Sequence, residues 1–272
     1  MITKILKFLT LSSIFIGING LMVIFFSSHL YDVELKIEIL VTTFLITFSA
    51  YSLNKATDKS EDSINRPEIA AIKRVFYVGP SIIAIILSLV IGAFMGFWAL
   101  IIIITSVILA IVYSIRLPFL TIRLKEVIGM KSFIVAFSWA FAGALLPATM
   151  QSVSVEKIIL IFFYIFIQII VNTILFDIID MKGDRVSGLM TIPILLGLNK
   201  TKKLLILINS LLILLISICL IKGIFKKNLL TLSFGIFYGY FIIWMFSSPN
   251  CNRLLAELLI DGEWIPIITL MN

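Results

Sequence analysis

Eight continuous apolar runs of membrane-spanning length constrain this chain more than anything else in it: Phe8–Phe26, Ile37–Leu53, Val75–Met95, Phe97–Ile115, Phe133–Met150, Ile158–Phe176, Leu204–Ile221 and Leu229–Phe246. A hydrocarbon core about 30 Å thick takes roughly 20 apolar residues per helix. No water is present there to satisfy an open backbone, so such runs fold as helices. The 272 residues leave room for eight or nine spans with short loops. Charged residues make up only 14% of the chain, against about a quarter in soluble domains. A water-soluble globular fold, a disordered chain and a disulfide-stapled secreted module are thereby excluded. The expectation is one polytopic all-α domain over 1–272.

Lys4 and Lys7 precede the first run like the charged start of a signal peptide. That run is too long and lacks a small-residue cleavage site, so it reads as an uncleaved first helix. The last stretch, Leu254–Leu270, carries Glu257, Asp261, Gly262 and Glu263 and reads as a short, tilted or partly re-entrant ninth helix. Cys219 and Cys251 share no metal-ligand spacing, and His29 reads as a lone surface residue in a loop.

The net charge of +7 does not call for a nucleic-acid partner. Seventeen of the 22 basic residues fall in the N-terminal flank and on the connections sharing its side, which fixes the N-terminus and those loops as cytoplasmic. An integral multi-pass protein of the cell membrane is expected. The outer connections are short; Asn54–Arg74, Ser114–Ser132 and Asp177–Lys203 are longer and carry the polar chemistry.

Asn54, Asp58 and Asp62 recur every fourth residue. On a helix continuing from the second span they fall within about 80° of one another. Asp177, Asp180 and Asp184 form a second stripe at the end of the sixth span. A solvated charged face would account for either alone. Five aspartates at the ends of two apolar helices are harder to place without cations, since two carboxylates about 5 Å apart repel by roughly 3 kcal/mol at an effective dielectric near 20. Hard oxygen ligands suit Mg2+, which prefers a few carboxylates plus substrate phosphates. Asn54, Asp58, Asp62, Asp177, Asp180 and Asp184 are therefore the candidate metal ligands, with Asp58, Asp62, Asp180 and Asp184 the candidate catalytic carboxylates.

Within a bilayer the matching substrate is a lipid diphosphate. With an allylic chain, positive charge stabilises the departing diphosphate, and a dry aromatic chamber protects the carbocation left behind. Arg66, Lys125, Lys131, Arg123 and Arg185 are the candidate diphosphate contacts. Pro67 ends the first stripe and Gly183 gives the second a flexible point. Gln168 and Asn172 share one face of the sixth span, where buried polar residues turn inward, either toward substrate or into interhelical hydrogen bonds.

These motifs resemble the UbiA superfamily of intramembrane prenyltransferases. The family's N-x-x-x-D-x-x-x-D-x-x-x-R-P is met by Asn54, Asp58, Asp62, Arg66 and Pro67. Its second signature is met by Asp177, Asp180, Gly183, Asp184, Arg185, Gly188, Thr191, Pro193 and Gly197. Tyr113-Ser114 followed by Lys125 is similar to the family's loop between them. The resemblance implies nine transmembrane helices around a central cavity capped by cytoplasmic Asp-rich loops. It also implies Mg2+-dependent transfer of a polyprenyl group from an allylic prenyl diphosphate to an aromatic or lipid-like acceptor, as in quinone, isoprenoid or ether-lipid biosynthesis. Gln168, Asn172 and Tyr113 are the candidate acceptor or chain contacts. Lys55 departs from many relatives, which carry aspartate after the motif's asparagine. The alternative is a non-catalytic prenyl-lipid carrier or transporter on the same bundle, which would more commonly hold its polar groups at mid-membrane.

Overall fold

A computed structural model describes residues 2–116 and 123–271; the side chains of Lys4 and Lys7 lie outside the described set. Among the described residues the regular structure is helical. In chain order the helices are α1 (Ile2–Leu11), α2 (Ile14–Tyr31), α3 (Ile37–Thr57), α4 (Lys59–Asn65), α5 (Pro67–Ala70), α6 (Val75–Met95), α7 (Phe97–Ser114), α8 (Met130–Ala148), α9 (Val155–Ile179), α10 (Met181–Val186), α11 (Ile192–Leu196), α12 (Leu198–Lys222), α13 (Leu229–Phe246), α14 (Arg253–Ile260) and α15 (Trp264–Thr269). Eight of them are long and apolar enough to cross a membrane, one overlapping each apolar run, and the chain is a multi-pass integral membrane protein.

The first run is not one helix. It breaks at Ser12–Ser13, where Ser13 takes a left-handed φ of 66°. The cause lies elsewhere in the chain. Lys55 Nζ donates to the carbonyls of Thr10 (2.6 Å) and Leu11 (3.2 Å), and the Tyr77 hydroxyl donates to Leu11 O (3.3 Å). Carbonyls that a helix end leaves unpaired are thus satisfied, and α1 can stop there. Lys55 is turned onto this helix end rather than left as a loose cation beside the first stripe. His29 belongs to the last turn of α2, half-buried and stacked on Phe25, rather than to a loop.

Helices α2 and α9 are the most buried spans and α6 the least, so α6 faces outward. Its Phe76, Ile83, Ile86 and Phe94 are exposed, as are Leu207, Leu214 and Ile221 of α12, a surface suited to lipid. With apolar groups equally at home in lipid, helix contact rests on close packing and polar pairs. Helix α13 shows both. A Cβ at Gly239 would strike the side chain of Asn209, whose Nδ2 donates to Ile236 O at 3.0 Å. At Gly235 it would strike Tyr164, whose hydroxyl donates to Leu232 O at 3.1 Å.

The ninth segment, α14 to α15, is interrupted by a 3₁₀ turn at Asp261–Glu263. It docks against α2, where Trp264 meets Phe26 edge-on at 5.1 Å and Phe26 stacks on Tyr164 at 5.3 Å. It is too short and polar to count among the eight, in line with its expected irregularity.

Candidate active site

Both aspartate stripes survive as helical stripes. At Asp58 the chain leaves α3 and enters α4 through a one-residue break (φ −92°, ψ 29°) that two hydrogen bonds span: Asp58 N–H donates to Asn54 O (2.9 Å) and Asp62 N–H to Asp58 O (2.8 Å). The ladder ends at Arg66, and Pro67 opens α5, as the sequence implies. Asp180 plays the same linking part between α9 and α10, its N–H donating to Phe176 O at 2.8 Å and its carbonyl accepting from Asp184 N–H at 3.0 Å.

Asn65 then straps α4 to α10. Its Nδ2 donates to Asp180 O at 3.1 Å, and its Oδ1 accepts from Gly183 N–H at 3.0 Å. Gly183 is therefore a close-approach residue rather than a flexible point; a Cβ there would collide with the Asn65 side chain.

The stripes face one another across one polar chamber. Its wall includes Asn54, Asp58 and Asp62 from the first and Asp180 and Asp184 from the second. Asp177 lines the adjoining space. Lys125, buried, pairs with Asp58 and with Glu61 (2.9 Å), and Arg123 backs both, at 3.3 and 3.1 Å. Lys131 bridges Asp177 (3.0 Å) and Asp184 (2.6 Å), while the Ser132 hydroxyl donates to Asp177 at 2.6 Å. Arg253 grips Asp180 at 2.5 and 3.3 Å and Glu257 at 3.2 Å, and Arg66 lies 3.7 Å from Glu257. Among the described residues only Asp62 of the five aspartates has no ion pair or side-chain hydrogen bond. The buried Asn54 Oδ1 has no partner either.

Burial dominates the charge state of this chamber. It pushes the Asp184 carboxyl up to about 7, against the pull of Lys131 and with the help of Asp177. Burial also raises Asp62, with Arg66 opposing and the charge of Asp180 adding, so the two stripes sense each other. At Asp180 burial is outweighed by Arg253 and Arg66, which hold the carboxyl below its usual range.

Among the described residues no three acidic, histidine or cysteine side chains stand together in a ready metal cluster; positive charge at these carboxylates comes from lysine and arginine. The donor set nonetheless fits a hard divalent cation: carboxylates from two directions, the unpaired Asp62, and a buried amide oxygen with nothing to bind.

Two branches lead inward from the chamber. One runs between α2, α3, α7 and α8, walled by Gly20, Ile46, Ala110, Ile134 and Gly143 and mostly apolar. The other runs toward the ninth segment, past Asn172, Phe176, Asp261 and Trp264. Tyr51 and Tyr113 border the chamber and both branches, and Trp139 Nε1 donates to the Tyr51 hydroxyl at 3.2 Å.

Of the expected diphosphate contacts, Arg66, Lys125 and Lys131 line the chamber. Arg123 stands behind Asp58 and Glu61, outside that lining, and Arg185 is exposed on α10 and lines neither chamber nor branch. Tyr113 and Asn172 line the cavity, whereas Gln168 packs near Gly235 and Tyr164 away from it. Glu61, Asn65, Arg253 and Asp261 were not expected. Glu61 lies three residues after Asp58, a signal that helical spacing carries; Arg253 has no local signal, being 73 residues from the aspartate it holds.

The sequence model of the UbiA prenyltransferase family matches residues 11–258. A digeranylgeranylglyceryl phosphate synthase from Methanothermobacter thermautotrophicus is 29% identical over 165 residues, 58% of this chain and 55% of that one, so the match takes in little more than half of that relative. A UbiA homolog from Archaeoglobus fulgidus, solved bound to DMAPP and Mg2+, superposes with a TM-score of 0.73 at 16% identity, covering 97% of this chain and 99% of that one. A UbiA homolog from Aeropyrum pernix K1 gives 0.66 at 15% identity, over 93% and 98%. At these identities the likeness is one of fold.

Proposed function

The chain belongs to the UbiA prenyltransferase family, and from that premise we propose that it transfers a prenyl group from an allylic prenyl diphosphate to an acceptor inside the membrane, with Mg2+ as cofactor. The observation that carries this reading is the meeting of both aspartate stripes on one polar chamber that continues into an apolar branch. A diphosphate head fits the first and a hydrocarbon tail the second. The A. fulgidus homolog with DMAPP and Mg2+, and the synthase name of the M. thermautotrophicus relative, support it.

In this reading Asn54, Asp58, Asp62, Asp177, Asp180 and Asp184 hold the metal, which when bound supplies positive charge for the leaving diphosphate. Lys125, Lys131 and Arg66 bind diphosphate oxygens by charge-assisted hydrogen bonds. The prenyl chain lies between α2, α3, α7 and α8. Tyr51, Tyr113 and Trp139 stand at the junction, where aromatic faces favour a nearby carbocation and apolar walls keep water from capturing it. We read residues 1–272 as one domain in the cell membrane, the chamber opening on the cytoplasmic side where most basic residues fall.

The test is to incubate the purified protein with Mg2+, a labelled prenyl diphosphate and a panel of acceptors, then identify products by mass. Metal-dependent release of diphosphate that requires Asp58 and Asp62 supports the reading. Equal turnover with excess chelator overturns it.

A further inference from the structure

The branch toward the ninth segment holds polar groups that the binding of a diphosphate and its hydrocarbon tail leaves unused. Asn172 is 4% exposed and Trp264 1%. Both line the branch, and neither Asn172 Oδ1 nor Trp264 Nε1 has a hydrogen-bond partner. Asp261 lines the same wall without an ion pair or side-chain hydrogen bond among the described residues. A buried polar atom without a partner costs about 1–3 kcal/mol, so two on one cavity wall, beside the half-buried Asp261, imply a ligand that satisfies them.

The chemistry of that ligand follows from what is vacant and what is engaged. The three cations on this lining are engaged elsewhere: Lys55 donates to the carbonyls of Thr10 and Leu11, while Lys131, paired with Asp177 and Asp184, and Arg66, 3.7 Å from Glu257, serve the diphosphate in the reading above. An anionic head would find no free cation there and would meet Asp261 and Glu257. The free groups are two acceptors, Asp261 and Asn172 Oδ1, and one donor, Trp264 Nε1. A neutral hydroxyl, which both donates and accepts, matches them.

We infer that this branch is the acceptor subsite, that it takes a hydroxyl-bearing acceptor, and that Asp261 receives the hydroxyl proton. This rests on the prenyl-transfer reading above. As the acceptor oxygen forms its bond to the first prenyl carbon, the bond from that carbon to the diphosphate oxygen breaks, and its electron pair leaves with the diphosphate. The acceptor proton passes to the Asp261 carboxylate and from there to water. Asn172 and Trp264 orient the hydroxyl. Asp177, Asp180 and Lys131 line the same cavity, so acceptor and leaving group meet the prenyl carbon in one continuous space.

The experiment uses the full chain in lipid nanodiscs with Mg2+ and labelled geranyl diphosphate. The acceptor probes are a phenol (para-nonylphenol) and a lipid alcohol (octadecylglyceryl ether), each beside its fully O-methylated counterpart. Ether product from either hydroxyl probe and none from its methylated form is expected, and which probe reacts separates a phenolic from an alcoholic source. Asp261→Asn, which keeps shape and breaks no contact, should lower ether formation by at least about 100-fold while geranyl diphosphate binding stays within twofold. Trp264→Phe keeps the ring against Phe26 and should raise the acceptor KM by about two- to tenfold with kcat unchanged. Transfer by Asp261→Asn within threefold of wild type overturns the proposal, as does loss of its geranyl diphosphate binding. A wild type that binds and hydrolyses geranyl diphosphate yet alkylates neither probe also overturns it. A wild type that neither binds nor cleaves geranyl diphosphate overturns the prenyl-transfer reading itself.

Discussion

The two aspartate stripes look alike in sequence and are held in opposite ways. In the second, Lys131 and Ser132 fix Asp177, Lys131 fixes Asp184, and Arg253 fixes Asp180, so the fold gives every carboxylate a partner. In the first, Lys125 and Arg123 hold Asp58, while Asp62 and the Asn54 amide oxygen keep open valences. One wall of the chamber is structurally finished and the other awaits something. Carboxylates of equal standing in a motif therefore differ in what their loss does to the protein.

That difference can be broken by mutation. The largest effect on chemistry should come from Asp62→Ala: transfer falls by about 1,000-fold or more, as expected when a group stabilising transition-state charge is lost, while the thermal midpoint stays within error. Asp180→Ala should abolish transfer too, but leaves Arg253 with Glu257 as its one remaining carboxylate, so the fold loses about 2–4 kcal/mol, read as a lower unfolding midpoint in detergent. If the two variants melt alike, the contrast between the stripes is wrong. An effect of intermediate size sharpens it. With the Asp184 carboxyl pushed up to about 7, a proton must leave before metal binds. Affinity for Mg2+ alone should then be flat above that pH and fall by up to about tenfold per unit below it, followed by calorimetric titration. An ordinary carboxylate would hold its affinity down to about pH 5. The smallest effect belongs to Arg185→Ala. Its side chain is exposed and away from the chamber, so activity should stay within about twofold and stability within about 0.5 kcal/mol.

What the sequence displayed, and what it hid, follows from how far each interaction reaches along the chain. Apolar runs report a solvent preference residue by residue, and the eight spans stand where the runs do. The stripes were legible because i, i+4 spacing is local geometry, and hydrogen bonds through Asp58 and Asp180 preserve it. The break at Ser12–Ser13 was hidden because its cause is Lys55, some forty residues on. The Arg253–Asp180 pair was hidden likewise, and so was the strap, since nothing marks Asn65 as different from any polar residue before Arg-Pro. The basic residues of the loops were legible as a set but not singly. Positive charge collects on one side for reasons of topology, and only packing decided that Lys125 turns inward while Arg185 does not.

The Asn65 strap carries a mechanical corollary. One carboxamide is riveted at both its ends to main chain on the opposite arm, so the arms bearing the aspartates are pinned to one another at a single joint. The gap between opposing carboxylates, and with it the size of ion they can embrace, is gauged by the span of a single side chain. Lengthening that rivet by one methylene, as Asn65→Gln would, resets the gauge for both arms at once.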